Sequence, residues 1–448
     1  MTRRVLPLAL VFLGMCATSS RGVWQTTPVE TVGSTGEYTS IALDSQGYPH
    51  IAYYNNTEGG LKHAWWNGSI WQREMVDAGD NIGWWTSIAL DSQDRPHISY
   101  YDFFASALKF ARFDGALWHT ETVDADGYVG DYTSLALDSA DLPHISYRDE
   151  SGGTLNYAHW NGSAWELSIV AGSGVGAWSS IAVDHLDRPH IAYCDHTNND
   201  LEYARWDGSS WQNETVDSDG NVGLWLSMAL DDQDHAHISY CDYDNYDLKY
   251  ARESANGWDI DVAQADGFVG WFTSIALDGQ GLPHISYWDL QNNDLDYAHW
   301  DGSVWQLEVV HSQLDVGNWT SIAVDASGRS HISYEYNYYG DLYYATNESP
   351  AGVDTDAPRR TELAMSLPSP NPMRSSTTID LVLPSGAARV EVLDARGRRV
   401  RRILDGWRSS GPLRVEWDGR GHPVPSGGYL VRLTTSQGTV TRTLVRLR

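Results

Sequence analysis

Along most of the chain, apolar and polar positions alternate or run together in segments of about five to seven residues. Each segment is closed off by Gly, Pro, Asp, Asn or Ser, which is the pattern of short strands joined by tight turns. From Thr86 the segments are TSIALD, PHISYYD, ALKFARF and LWHTETV, separated by SQDR, FFAS and DGA, with no amphipathic helical window among them. We name these strands A to D. Pro96 opens strand B, where its missing N–H removes no interior ladder bond.

The same four-segment unit recurs. Aligning the phrase TSIALDSQDRPHISY places His50, His97, His144, His190, His237, His284 and His331 in register, 47 residues apart at every step but one, where the gap is 46. Seven units at a fixed period predict a repeat architecture. The seventh unit has strands A, B and C, the last being Leu342–Thr346, and then ends without a Trp-bearing strand D. That strand stands at the front instead: GVWQTTPVETVGSTGEYTS, from Gly22, matches SIWQREMVDAGDNIGWWTS, from Ser69. A repeat split between the two ends of an array is explained if the ends meet and the first strand covers the last open edge. The expected fold is all-β: a seven-bladed β-propeller closed by an N-terminal outer strand, followed by a small Ig-like β-sandwich.

In such a ring the A strands line the channel, and Ser40, Ala42, Ser87 and Ala89 suit its crowded side. Between C and D run WWNGSIW, WNGSAW, WDGSSW and WDGSVW. Asn-Gly and Asp-Gly supply a tight hairpin, and flanking tryptophans such as Trp160 and Trp165 are expected to pack blade on blade.

The repeats do not begin at residue 1. Arg3 and Arg4, an apolar run from Val5 to Met15 and small residues at Ala17, Ser19 and Ser20 follow the order of a secretory signal peptide, expected over 1–21. No other stretch reaches the roughly twenty apolar residues of a membrane span. Without Cys16 the exported chain keeps Cys194 and Cys241, at equivalent repeat positions too far apart to bond, so two free thiols are expected. The net charge is −29, and it is unevenly placed: from Arg359 onward 16 Arg face 7 acidic residues, so the part before carries about −38. Such a body disfavours nucleic acid and anionic membrane as partners and leaves neutral glycans, cations and basic proteins.

Seven histidines in seven blades do not converge on one point, so they read as scaffold, each satisfied by the strand-A aspartate of its blade (Asp44, Asp91, Asp138, Asp184, Asp231, Asp278, Asp325). Recognition belongs to positions that differ between blades at one geometric place. One such column precedes the aromatic-Thr-Ser motif, in the expected D–A loop: Glu37, Trp84, Asp131, Ala177, Leu224, Trp271 and Asn318. The other ends strand B: Tyr54, Tyr101, Arg148, Cys194, Cys241, Trp288 and Glu335. D–A and B–C loops leave a propeller on one face, so both columns are expected at one channel mouth. Aromatic rings among acids, amides and Arg148 suit sugars, whose C–H faces stack while their hydroxyls take polar partners. The candidate ligand-binding set is Glu37, Tyr54, Trp84, Tyr101, Asp131, Arg148, Trp271, Trp288, Asn318 and Glu335.

Other chemistry is sparser. VDADGYVG (Asp124, Asp126) and VDSDGNVG (Asp217, Asp219) resemble pieces of calcium loops but offer too few oxygens, and turn chemistry accounts for them. Their recurring glycine (Gly36, Gly83, Gly130, Gly176, Gly223, Gly270, Gly317) is expected at positive φ. Glycosidic hydrolysis needs two carboxylates about 5–10 Å apart; Glu37, Asp131 and Glu335 are the mouth candidates, with Glu37 and Glu335 adjoining once the ring closes. No GxSxG, HExxH or phosphate loop is present in a useful context, and no cofactor is implied.

After Thr346 a linker rich in Pro, Asp and Ser is expected over 348–366, and strand segments follow: STTIDLVL, ARVEVLDARGRRVRRIL, PLRVEWDGR, GGYLVRLTTSQG and TVTRTLVRLR. This tail, 367–448, resembles the FlgD-like immunoglobulin-like domain used as a type IX secretion sorting signal. The resemblance is carried by Pro370-Asn371-Pro372, Thr377-Thr378-Ile379, Val392-Leu393-Asp394 with Gly397-Arg398 and Val400, Trp417-Asp418-Gly419, Pro425-Ser426-Gly427-Gly428-Tyr429 with Arg432, and Leu444-Val445. It implies reading by an export machinery and removal or exchange for a surface anchor. The repeats at 22–347 resemble a broad set of bacterial propeller repeats, and the hairpin LKHAWWNGSIW is similar to one in seven-bladed fucose-binding lectins. The expectation is thus a monomeric, exported or surface-held recognition module for an extracellular glycan. A polysaccharide hydrolase or lyase is the runner-up, and a protein-interaction scaffold for a surface protein the third reading.

Overall fold

The computed structural model describes residues 23–172, 174–348, 364–365, 376–383, 386–394, 396, 398–408, 411–417, 425–435 and 438–447. The expected signal peptide and all of the expected linker but Glu348 and Ala364–Met365 lie outside them. The chain divides into two compact units, Met1–Gly352 and Val353–Arg448. Among the described residues no helix is long and apolar enough to cross a membrane.

The first unit holds seven four-stranded antiparallel sheets, each hydrogen-bonded in the order A-B-C-D. Blade 2 is Ile82–Leu90, Pro96–Asp102, Ala107–Phe113 and Trp118–Asp124. Blade 7 takes strands A to C from Asn318–Val324, Ser330–Tyr336 and Asp341–Glu348, and its outer strand is Val23–Glu30. Trp24 lies opposite Asn347, and Thr26 opposite Ala345. Inner strands touch in sequence around the whole ring, Thr35–Leu43 of blade 1 meeting Asn318–Val324 of blade 7. The propeller is therefore closed by its own N-terminal strand, as its split repeat requires.

Small residues on strand A do more than fit a crowded channel. Ser40 Oγ accepts the backbone N–H of Ile88 at 3.1 Å, and the six other strand-A serines make the same bond to the next blade. The last, Ile41 N–H to Ser321 Oγ, crosses the seam at 3.2 Å. At roughly 1 kcal/mol net each, these bonds give a periodic clasp between sheets that share no ladder. Outside it, Trp165 packs on Phe110 of the preceding blade and Trp24 on Tyr297, with centroids 5.3 and 5.0 Å apart. Trp160 instead packs on Trp165 within its own hairpin.

The histidines are struts. Every repeated His ring approaches its strand-A aspartate, Nε2 to Oδ2 spanning 3.3–3.9 Å, with hydrogen bonds in blades 4, 5 and 7. In blades 3 to 7 the Nδ1 atom accepts a strand-C tyrosine hydroxyl at 2.5–2.6 Å, which fits a neutral ring protonated on Nε2. Each aspartate also takes two turn N–H groups on Oδ1, as Asp91 does from Gln93 and Arg95. Burial drives the imidazoles down, His50 to about 3 and His237 and His284 to about 4.

The second unit has a three-stranded sheet (Ala364–Met365, Thr377–Leu383, Gly411–Trp417) and a four-stranded one. The segment ARVEVLDARGRRVRRIL is not one strand but a hairpin, Gly386–Asp394 with Arg399–Arg408, because Asp394 folds the chain back by accepting N–H groups from Arg396 and Arg398. Gly427–Thr435 and Gly438–Arg446 complete that sheet. Ile379, Leu381, Val390, Val392, Trp417, Val431 and Leu433 fill the core, and Tyr429 donates its hydroxyl to Pro425 O at 2.6 Å, a corner typical of Ig-like sandwiches.

Candidate functional site: the channel mouth

The variable columns meet as a cross-strand ladder. In every blade the first-column residue lies opposite the second: Glu37 with Tyr54, Trp84 with Tyr101, Asp131 with Arg148, Ala177 with Cys194, Leu224 with Cys241, Trp271 with Trp288 and Asn318 with Glu335. The first column is not in the D–A loop; it lies in strand A, which starts earlier than expected, at Thr35 in blade 1. The two loops do share a face. Phe103 N–H, just past strand B, bonds to Asn81 O in the D–A loop at 3.1 Å, and Tyr243 N–H bonds to Asn221 O at 2.8 Å.

Immediately after the first column each strand A bulges. Glu37 pairs with Tyr54 but Ser40 pairs with Ala52, so strand A holds one residue more than its partner. The residue thrown out is always aromatic and always at positive φ, between 48° and 55°: Tyr38, Trp85, Tyr132, Trp178, Trp225, Phe272 and Trp319. Seven non-glycine residues in a disfavoured backbone region point to a function for the bulge. Their rings touch neighbour to neighbour around the axis, centroids 4.1–5.9 Å apart, and close on themselves where Trp319 meets Tyr38 at 4.1 Å. This collar lines a cavity of about 160 Å³ whose floor is Thr39, Thr86, Thr133, Ser179, Leu226, Thr273 and Thr320. The floor hydroxyls are held by the scaffold: Thr133 donates to Ser99 Oγ at 2.9 Å and Thr86 to Tyr38 O at 2.5 Å. Leu226 stands where the preceding blade has Ala192 instead of a serine, and the two pack together. A molecule in the cavity therefore meets aromatic faces, with polar contacts at the rim.

The rim is not uniform. Trp84 stacks on Tyr38 at 5.5 Å and lies 4.7 Å from Phe103, giving an aromatic sector over blades 1 and 2. A second sector over blades 5 and 6 joins Trp271 to Trp225 at 4.0 Å and to Tyr243 at 6.0 Å. Among the described residues the buried indole N–H groups of Trp84, Trp271 and Trp288 have no hydrogen-bond partner; those of Trp165 and Trp305, in the outer hairpins, have none either. Between the sectors, Asp131 sits with Arg148 and Glu150, its carboxyl raised to about 6 chiefly by burial, then by Glu150, against the pull of Arg148. On the opposite side Glu335 is raised to about 8 by burial, then by Glu37 and Asp315, and burial also raises Glu37. Of the three carboxylates considered for hydrolysis, Glu37 and Glu335 thus act on each other, whereas Asp131 belongs to a separate charged group.

Cys194 and Cys241 are free, buried and have raised thiols, so they fill space behind the rim. Asp124 and Asp217 look inward between blades: each accepts a tyrosine hydroxyl at 2.7 Å, from Tyr147 and Tyr240, and Asp217 also binds Lys249 at 2.5 Å. Their Oδ1 atoms take the N–H groups of Asp126 and Asp219. Among the described residues no group of three or more His, Cys, Asp or Glu side chains is arranged to hold a metal ion.

The collar and the loop aromatics Phe103 and Tyr243 were not among the sequence candidates. The loop aromatics belong to a third variable column, one residue past strand B: Asn56, Phe103, Glu150, His196, Tyr243, Leu290 and Asn337.

Residues 372–439 match the FlgD Ig-like domain. No curated protein matches the chain. Among solved structures, the chain is similar to a copper-bound fungal alcohol oxidase of the AA5 family (TM-score 0.51, 14% identity, 95% of this chain and 100% of that one). It is likewise similar to the PL25 ulvan lyase bound to a GlcA(1-4)Rha3S saccharide (0.53, 12%, 75% and 100%) and to Kuenenia stuttgartiensis hydrazine synthase (0.52, 8%, 73% and 99%). Three unrelated chemistries at such low identity share an architecture only. The C-terminal unit thus carries a FlgD Ig-like domain, and the repeats share the fold of these β-rich relatives.

Proposed function

We propose that the propeller binds carbohydrate at the mouth bearing the collar, and that the C-terminal domain serves export of the chain to the cell exterior. The observation that carries the first part is the pairing of open aromatic faces with unmet hydrogen-bonding groups at one rim. Tyr38, Trp85 and Trp319 offer stacking surface to sugar C–H faces, while the indole N–H groups of Trp84, Trp271 and Trp288 await acceptors. The test is a glycan array with the purified propeller, followed by titration of the best ligand against Trp85→Ala and Trp165→Ala. Trp85→Ala is expected to weaken binding at least about tenfold, or roughly 1.4 kcal/mol, and Trp165→Ala to lower stability with binding kept. Equal binding by both variants would place the ligand elsewhere.

A second reading, a polysaccharide hydrolase or lyase, is favoured by the raised carboxyl of Glu335 beside Glu37, since a general acid must keep its proton near neutral pH. Product release from a bound polysaccharide that stops in Glu335→Gln would establish it. Saturable binding without product leaves the mouth a recognition site.

A further inference from the structure

We propose that the mouth between blades 7 and 1 seats a protonated amino group, so that the glycan recognised there is a cationic one bearing de-N-acetylated amino sugars. This rests on the carbohydrate reading above and narrows its ligand.

The acceptors on this side are short of donors: Asp315 takes one, from Asn337 to its Oδ2 at 3.3 Å. Glu335 is 5% exposed, and among the described residues its carboxyl takes part in no hydrogen bond or ion pair. Asn318, its cross-strand partner, has a buried Oδ1 without a donor, and so does Asp315 at its own Oδ1. Among the described residues Glu37 meets only neutral donors, Asn56 at 3.5 Å and Ser34. None of these groups is joined to a Lys, Arg or His side chain among the described residues, whereas Asp131 across the mouth lies beside Arg148. Unpartnered acceptors at Glu335, Asn318 and Asp315, with half-buried Glu37 beside Glu335, describe a place for a group with many protons and a positive charge, whose arrival draws off the proton that Glu335 keeps in its absence. A sugar hydroxyl brings one proton and an oxygen that must itself be solvated; an ammonium brings three donors and no acceptor.

The collar completes the seat. Tyr38 and Trp319 meet at 4.1 Å next in sequence to Glu37 and Asn318, and both rings line the cavity. Aromatic faces attract a desolvated cation, and the rest of the ligand stacks on the same rings. An N-acetyl group would bring one N–H and no charge, and an acidic sugar would add a like charge. The acidic body, at about −38 before the tail, draws cationic ligands to any of its faces, so the test must separate this seat from general attraction.

The measurement is calorimetric titration of the purified propeller near pH 6 with oligo-glucosamine and with oligo-N-acetylglucosamine of the same length, on the native protein, Glu37→Gln and Glu335→Gln. Both substitutions preserve shape, and thermal melts confirm folding. The proposal expects oligo-glucosamine to bind at least about tenfold more tightly than its acetylated form, and to lose most of that advantage in either variant while the acetylated form is little changed. Equal or tighter binding of the acetylated sugar would overturn the amino-group seat and keep the carbohydrate reading. Binding of oligo-glucosamine that ignores both substitutions would overturn it as surface attraction. If no glycan binds at all, in titration or on the array, both readings fall.

Discussion

Thr39 donates its hydroxyl to Ser333 Oγ at 2.8 Å, joining the first blade to the last. Thr133 makes the same bond to Ser99, inside the ring, at 2.9 Å. The seam thus repeats the chemistry of an ordinary blade junction, from the strand-A clasp to the tryptophan outside it. Closure is built from the periodic contacts themselves, with Val23–Glu30 supplying the one strand that the last sheet lacks.

Trp24 is therefore expected to matter as much as any internal tryptophan. It packs on Tyr297 and donates its indole N–H to Glu308 at 2.8 Å, while Trp258 packs in the equivalent way on Tyr203. Trp24→Ala and Trp258→Ala should each cost about 3 kcal/mol, read from urea midpoints. A Trp24→Ala protein as stable as the native one would mean that the seam is not a structural junction.

Gly130 tests a different constraint. It sits at φ +110°, and a Cβ there would fall 2.7 Å from the Leu108 Cα of the preceding blade. The equivalent glycines of the other six blades are at positive φ as well, each pressed against a strand-C leucine. Strain and collision add, so Gly130→Ala should destabilise by about 2–3 kcal/mol. Gly115, also at positive φ but with open space around it, should cost less on the same change; equal melting temperatures for the two variants would refute the packing argument.

Much of this was legible because a fixed period aligns equivalent residues. The strands, the split repeat, the histidine–aspartate pairs and the glycine column follow from comparing blades. The collar is hidden in the sequence, because an aromatic present in every blade reads as scaffold. His144 fits that reading through its bonds within one blade, whereas Tyr132 lines the cavity, because equivalent positions on the innermost strands converge at the axis. The bulge that turns Tyr132 into the cavity has no sequence mark beyond the aromatic itself. Nor did the pattern show that the serine after it serves the neighbouring blade.

Acid should unfold the propeller through its histidines. Burial holds their folded pKa values below the ordinary 6.5, to about 4 for His237 and His284. The unfolded chain then binds more protons as pH falls below 6.5, so this stability is complete above that value and is lost on descent through about 4. Melting temperature should fall steeply from about pH 6.5 to 4. His144→Ala, which removes the ring held by Tyr157 at 2.5 Å and Asp138 at 3.6 Å, should cost about 1–3 kcal/mol at neutral pH and leave glycan binding intact. Binding lost at unchanged stability would make this histidine a ligand-site residue.

Asp296 acts in the opposite direction. In blades 1, 2 and 5 its position is a lysine that reaches an acid of the preceding blade: Lys62 to Glu30 at 2.7 Å, Lys109 to Asp77 and Lys249 to Asp217 at 2.5 Å. In blade 6 both members change, to Asp296 and Gln264; the tyrosine of the lock survives, Tyr287 donating to Gln264. Asp296 is 7% exposed with its Oδ1 unpartnered, and burial together with Asp289 and Asp294 raises it to about 8. Its folded pKa lies above its unfolded one, so the stability tied to this carboxyl is present below about pH 4 and drains away as pH rises toward 8. Asp296→Asn should therefore be more stable than the native protein by on the order of 2 kcal/mol at pH 8, with the gain vanishing near pH 4. Gln264→Asp with Asp296→Lys, which rebuilds the lock of blade 5, should match or exceed it at pH 8. Denaturant titrations at the two pH values decide the matter, and an Asp296→Asn protein no more stable than the native one at pH 8 would show that the carboxyl finds solvent after all.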